Sequence, residues 1–138
     1  MAPDPTPPLG RVLVVEDSST VASVVKYFLE LEGFDVLQAE NGLLGLEMAL
    51  QELPDVIVAD VNMPSMGGVE MVKALRSDAR TSQVRIIMLT SESSVKTVKE
   101  ALAAGADGYL LKPFEPRTLA ARVKALQAQS RPTPAVPG

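Results

Sequence analysis

The chain predicts an α/β fold built on a five-stranded parallel sheet with helices on both faces. Three observations carry that expectation. Short, wholly apolar runs such as Val12-Leu13-Val14-Val15 and Val56-Ile57-Val58-Ala59 have the composition of strands buried on both sides. Stretches with apolar residues at helical spacing follow them. The alternation recurs five times without an internal repeat, and apolar strands joined by amphipathic helices close into a parallel sheet.

The elements follow in order. Residues 1–10 hold Pro3, Pro5, Pro7 and Pro8 and predict a disordered, proline-rich start. The first strand is Val12 to Val15, ending in Glu16-Asp17, and Ser18 or Ser19 caps the helix after it. That helix carries Val21, Val24, Val25, Phe28 and Leu29 on one face, and Gly33 is its stop. Phe34 to Ala39 is a less apolar strand, so nearer an edge. Asn41 to Leu53 predicts a helix with Leu43, Leu46, Leu50 and Leu53 inward, closed by Pro54. The central strand, 56–60, delivers Asp60 to its end, and Met63-Pro64 with Gly67-Gly68 mark the loop after it. Gly68 to Ser77 is a helix with Val69, Val72 and Leu75 inward. Val84 to Leu89 is a strand ending at Thr90-Ser91. Ser93 to Ala104 is a helix with Val95, Val98 and Leu102, stopped at Gly105. Gly108 to Leu111 is the fifth strand, followed by Lys112-Pro113-Phe114. Glu115 to Gln129 is the last helix, with Leu119, Val123 and Leu126 inward. Residues 130–138, with Pro132, Pro134 and Pro137, predict a loose tail or linker stub. The ordered domain is therefore expected over 11–129.

Composition narrows the chemistry. At 138 residues one domain with a sizeable core is expected. A net charge of −4 argues against a nucleic-acid-binding surface on this domain, though not against a separate DNA-binding domain. There is no cysteine and no histidine, which removes disulfides, thiolate or imidazole metal sites, and Ser-His-Asp catalysis. Any histidine chemistry must come from another molecule. The start lacks a secretory signal and no apolar run is long enough to span a bilayer, so a cytoplasmic protein is the default.

Polar residues gather at the carboxyl ends of four strands: Glu16 and Asp17, Asp60, Thr90 and Ser91, and Lys112. In a doubly wound sheet of order 2-1-3-4-5, strands one and three are neighbours where the order reverses, and ligands bind there. Glu16, Asp17 and Asp60 would share one cleft. Close carboxylates repel unless a cation joins them, and all-oxygen ligands suit Mg²⁺ or Mn²⁺. Metal and Lys112 together would keep Asp60 ionised, as a nucleophile must be, which favours phosphoryl transfer onto Asp60 with Thr90 bonding a phosphoryl oxygen. Taken singly, each residue has a plainer reading. Glu16-Asp17 can be a solvated helix start, Asp60 a turn cap, Lys112 a surface lysine and Thr90 strand-end punctuation. Their joint occurrence at successive strand ends outweighs those readings.

The pieces Val14-Val15-Glu16-Asp17-Ser18, Asp60-Val61-Asn62-Met63-Pro64, Gly67-Gly68, Leu89-Thr90-Ser91 and Lys112-Pro113-Phe114 resemble the receiver domains of two-component response regulators, over residues 11–128. The resemblance implies the flavodoxin-like (βα)5 three-layer sandwich and a set of roles. Asp60 accepts phosphoryl from a sensor histidine kinase or a histidine phosphotransfer protein. Glu16, Asp17, Asp60 and the backbone carbonyl of Asn62 hold Mg²⁺. Thr90 moves toward the phosphoryl group and Lys112 pairs with it, across an expected cis Lys112–Pro113 bond. Tyr109 is the aromatic switch, and the face made of the fourth helix, fifth strand and fifth helix meets a downstream protein effector. Asn62 and Glu92 are where the family tunes phosphoryl lifetime. This pair resembles the stand-alone chemotaxis regulators and implies a short-lived aspartyl phosphate. The chain then reads as a single-domain regulator, the alternative being a receiver joined by a proline-rich linker to a further domain. A monomer or weak dimer is implied, with no membrane or direct nucleic-acid partner. Glu16, where many members have aspartate, is the one mild departure.

Two other classes compete. A haloacid-dehalogenase-like phosphatase also uses a strand-end aspartate and Mg²⁺, but wants a second aspartate where Asn62 stands. A flavin or nucleotide binder wants a glycine-rich cradle where Glu16 to Thr20 is acidic. A pseudo-receiver that binds without phosphorylation is the remaining alternative.

Overall fold

A computed structural model describes residues 9–63, 65–91 and 95–129. Among them five strands alternate with five helices: β1 (Arg11–Val15), α1 (Ser19–Leu31), β2 (Asp35–Ala39), α2 (Gly42–Glu52), β3 (Val56–Asp60), α3 (Gly68–Ser77), β4 (Arg85–Ser91), α4 (Val95–Ala104), β5 (Gly108–Lys112) and α5 (Pro116–Ala128). The sheet order is β2-β1-β3-β4-β5, with every neighbouring pair parallel. This is the parallel sheet with helices on both faces that the alternation predicts and the flavodoxin-like sandwich that the resemblance implies, with β2 at an edge as its weaker hydrophobicity suggests. The expected loose tails fall on 1–8 and 130–138, outside the described residues, as do Pro64 and Glu92.

Strand pleating sorts the core. Leu13, Val15, Ile57, Ala59, Ile86 and Met88 point to the side covered by α2, α3 and α4. Val12, Val14, Val56, Val58, Ile87 and Leu89 point to the side covered by α1 and α5. Each of these buried side chains other than Ala59 contributes about 1.5–3 kcal/mol. β1, β3 and β4 are therefore a stiff platform for whatever stands at their ends. The helix boundaries are set locally. Ser18, not Ser19, is the N-cap of α1: its oxygen accepts the Val21 N–H at 3.3 Å. Asn41 caps α2 by accepting from the Leu44 N–H at 2.9 Å. Gly33, with φ +102°, ends the turn after α1 where a side chain would be strained.

The structure corrects several sequence expectations. The buried line of α2 is Gly42, Gly45 and Ala49, not its leucines. A Cβ at Gly45 would stand 2.8 and 2.9 Å from the two Val15 methyls, so the helix lies too close for large residues there. Leu46 and Leu50 are pushed to the flanks and half buried, Leu43 is exposed, and Leu53 is an exposed left-handed cap. In α1, Ala22 takes the buried position and Val24 is exposed. In α4, Val98 and Ala101 are buried while Val95 and Leu102 are exposed. Leu9 and Gly10, assigned by sequence to the loose start, are tied down. Leu9 N–H donates to the Gly33 carbonyl and the Gly10 carbonyl accepts from Asp35 N–H, both at 3.0 Å.

Candidate metal centre at the strand ends

The same pleat explains why the charged residues meet. Continuing the alternation past Val12–Val14, Val56–Val58 and Leu110 sends Glu16, Asp60 and Lys112 to the α1/α5 side of the sheet. β1 and β3 pair directly, so Glu16 and Asp60 leave adjacent strands. β5 is two strands from β3, and the long lysine stem spans the gap.

The Lys112 ammonium bridges both acids, at 2.6 Å from Asp60 Oδ2 and 3.1 Å from Glu16 Oε2. Each carboxylate uses its second oxygen on backbone. Asp60 Oδ1 accepts the Asn62 N–H at 2.9 Å, and Glu16 Oε1 accepts the Ser18 N–H at 3.2 Å. Glu16 is 3% exposed and Asp60 7%, whereas Asp17 is exposed. The plainer reading of Asp60 as a turn cap holds for one oxygen, while the other faces the lysine. The plainer reading of Glu16 as a solvated helix start does not hold, because it is buried.

Burial is the main force raising the Glu16 pKa, the Asp60 charge adds to it, and the Ser18 N–H and Lys112 pull the other way. For Lys112 burial opposes the charged form. Hydrogen bonds and charge from Asp60, then from Glu16, outweigh it and hold the ammonium above its ordinary pKa. Three carboxylates face one ammonium, so the centre is short of positive charge.

Carboxylate oxygens of Glu16, Asp17 and Asp60 lie within 4.8 Å of one another. Opposite ligands of octahedral Mg²⁺ are about 4.2 Å apart, given Mg–O distances near 2.1 Å, so small adjustments bring all three onto one ion. The donor set is all hard oxygen, and a carboxylate offers about four lone-pair sites, so those bonded above retain capacity. The residues fit Mg²⁺ or Mn²⁺.

The other expected residues are placed as follows. Thr90 is fully buried on β4, and its hydroxyl donates to the Ser91 carbonyl at 3.3 Å, with no contact to the carboxylates among the described bonds. Tyr109 is 41% exposed on the edge strand β5. The Asn62 side chain is exposed beside Asp60. The Lys112–Pro113 bond is cis, as expected. Of the glycine pair, only Gly68 is sterically required: a Cβ there would meet the Asp60 carbonyl at 2.8 Å, whereas Gly67 has open space. The sequence contained Gly42 but gave no sign of its part; a Cβ there would run into the Met66 carbonyl of the loop after Asp60.

Comparisons with known proteins agree with this geometry. The family model described as "Response regulator receiver domain" matches residues 12–124. Chemotaxis protein CheY1 of Helicobacter pylori is 39% identical over 118 residues, 84% of this chain and 95% of that protein. Transcriptional regulatory protein PrrA of Mycobacterium tuberculosis is 47% identical over 116 residues, 84% of this chain but 49% of the regulator. The chain thus spans about half the length of the curated transcriptional regulators it matches. Among solved structures, the chemotaxis response regulator CheY4 of Vibrio cholerae superposes with a TM-score of 0.79 at 40% identity, covering 84% of this chain and 97% of that one. A signal receiver domain of a Syntrophus aciditrophicus histidine kinase gives 0.81 at 32% identity, covering 92% and 96%. These likenesses favour neither the phosphatase nor the flavin-binder reading. The chain belongs to the response regulator receiver family.

Proposed function

We propose that Asp60 is the phosphoacceptor of this receiver and that Glu16, Asp17, Asp60 and the Asn62 carbonyl hold Mg²⁺, with Mn²⁺ as a substitute. The observation that supports this most is the Lys112 ammonium bridging two buried carboxylates beside a third, on adjacent strand ends. The donor is a phosphohistidine of a sensor histidine kinase or phosphotransfer protein, since this chain has no histidine. An Asp60 carboxylate oxygen attacks phosphorus; the P–O bond forms as the P–N bond breaks. The departing imidazole keeps that bond's electron pair and takes up a proton. Bound Mg²⁺ supplies neutralisation of the transferring oxygens. Lys112, already 2.6 Å from Asp60, pairs with the phosphoryl group. The protein cycles between two states and is not a turnover enzyme.

The readout follows from charge. Phosphorylation adds charge and acceptor oxygens at Asp60. Thr90 exchanges its bond to the Ser91 carbonyl for a phosphoryl oxygen, and the Tyr109 ring turns inward. The face of α4, β5 and α5 is then presented differently to a protein effector, without direct nucleic-acid binding by this domain. Only such a differential contact shifts the population. Asn62 and Glu92 make the aspartyl phosphate short-lived; a half-life of many hours in purified protein with Mg²⁺ contradicts that. No helix among the described residues is long and apolar enough to cross a membrane. The proposed setting is the cytoplasm, as a monomer or weak dimer.

The test is intact mass after incubation with acetyl phosphate, with and without Mg²⁺, on wild type and Asp60→Asn. A single phosphoryl adduct requiring both Mg²⁺ and Asp60 is expected. No adduct on wild type would leave a phosphorylation-independent binding module instead.

A further inference from the structure

The loop after β3 carries Asn62 and is gripped at both ends of its span. Val61 is fixed twice: its N–H donates to the Leu89 carbonyl and its carbonyl accepts from Gly68 N–H, both at 2.9 Å. On the α3 side, Gly68 sits against the Asp60 carbonyl and the Val61 Cα, at 2.8 and 2.9 Å from where a Cβ would stand. On the α2 side, buried Gly42 abuts the Met66 carbonyl, and its absent Cβ would also lie 3.0 Å from the Met66 Cβ. Between the grips the backbone is strained: Ser65 adopts φ +72°. A non-glycine residue in that region is strained and persists only where its surroundings hold it. Gly42 is the surrounding contact next to it.

We infer that Gly42 is a positioning residue for the cation site: by letting α2 close onto Met66, it holds residues 65–67 and so the Asn62 carbonyl offered to the cation. α2 reaches the other half of the site by the same close approach, since Gly45, one turn on, touches Val15 immediately before Glu16. The first turn of α2 therefore sets the spacing between the two segments that carry the cation ligands. Mg²⁺ demands near-ideal octahedral geometry, so a shift of a few tenths of an ångström in one segment is felt as lost affinity. This inference rests on the proposed Mg²⁺ role of Glu16, Asp17 and Asp60.

The experiment is calorimetric Mg²⁺ titration of wild type, Gly42→Ala and Gly105→Ala, paired with the Mg²⁺ dependence of acetyl phosphate labelling. Gly105, at φ +123° and against the Arg76 stem, is a destabilising control far from the site. Gly42→Ala is expected to weaken Mg²⁺ on the order of 10-fold, the lower end of what lost outer supports cost metal sites. Its labelling rate at saturating Mg²⁺ should stay close to wild type, and Gly105→Ala should bind Mg²⁺ normally. Should Gly42→Ala fail to fold, Met66→Gly loosens the loop side of the same contact and is expected to show the same weakening. Unchanged Mg²⁺ affinity in the folded variant, or equal weakening in Gly105→Ala, overturns the inference alone. A wild type that binds no Mg²⁺ overturns the underlying reading with it.

Discussion

The two ends of the sheet handle charge in opposite ways. At the amino end, Asp107 stands between two arginines, 3.2 Å from Arg76 Nη2 and 3.3 Å from Arg85 Nη1, and also accepts the Ile86 N–H at 2.8 Å. The surplus positive charge is spread over backbone oxygens. Arg76 donates to the carbonyls of Gly105, Thr81 and Ser82, and Arg85 to that of Gln129. At the carboxyl end, buried Glu16 and Asp60 share Lys112 with Asp17 beside them, and the Glu16 pKa is raised. One cluster is satisfied within the chain and ties α3, β4 and the start of β5 together. The other sets three carboxylates around one ammonium. The fold places a structural lock at one end and a chemical capacity at the other, so substitutions at the two ends should fail differently.

The largest stability loss is expected at the lock. Asp107→Ala removes the carboxylate facing two largely buried guanidinium groups and should lower unfolding free energy by about 3 kcal/mol, read by urea denaturation. Acetyl phosphate labelling of the folded fraction should persist. If labelling vanished while the fold held, the two ends would not be separable.

Lys112→Met comes next, with about 1–3 kcal/mol lost at neutral pH as Glu16 and Asp60 lose their shared partner. Phosphoryl-dependent switching should fall, while Mg²⁺ binds more tightly without the competing ammonium. The sign with pH is fixed by the raised Lys112 pKa. Its stabilisation is complete below the ordinary lysine value and is lost only as pH rises through the higher folded value. Wild type should therefore lose this contribution in strong alkali, and Lys112→Met should have none to lose.

Glu16→Gln should act in the reverse sense on metal-free protein. Because the folded pKa of Glu16 is raised, its favourable contribution is present below the ordinary glutamate value and gone once pH passes the folded value. At neutral pH the charge is a cost. The glutamine variant should be more stable there, on the order of 1 kcal/mol, yet bind Mg²⁺ poorly. A lower urea midpoint for Glu16→Gln without metal would count against the charge imbalance.

The smallest effect on stability belongs to Thr90→Ala, which should leave Asp60 labelling in place and weaken effector switching. A phosphorylation-dependent change in effector affinity as large in Thr90→Ala as in wild type would remove Thr90 from the scheme.

The contrast between the ends also shows what a sequence can reveal. The carboxyl-end centre was legible because each of its residues follows an apolar strand, and parallel strands bring their ends together. The lock was not, since Arg76, Arg85 and Asp107 lie on three elements whose contact depends on helix placement. The face of α2 was misread for a related reason. Leu43, Leu46, Leu50 and Leu53 have helical spacing, but Gly42, Gly45 and Ala49 permit a closer approach to Val15 and Met66, and closeness won over side-chain size. Glu16 was legible as a cation ligand at a strand end, and the strand alternation that turns it inward is what rules out its plainer reading as a solvated helix start. Glu92 lies outside the described residues, and its proposed part in phosphoryl lifetime rests on the resemblance alone.

The most direct measurement is the urea midpoint of wild type in excess EDTA and in rising Mg²⁺, beside Asp60→Asn and Asp107→Ala. A cation that binds only the folded chain stabilises it by about 2.7 kcal/mol at one hundred times its dissociation constant. Wild type and Asp107→Ala should show that rise, each from its own baseline, and Asp60→Asn should show little of it. A wild-type midpoint indifferent to Mg²⁺, or an equal rise in Asp60→Asn, would contradict a cation site at the carboxyl end of the sheet.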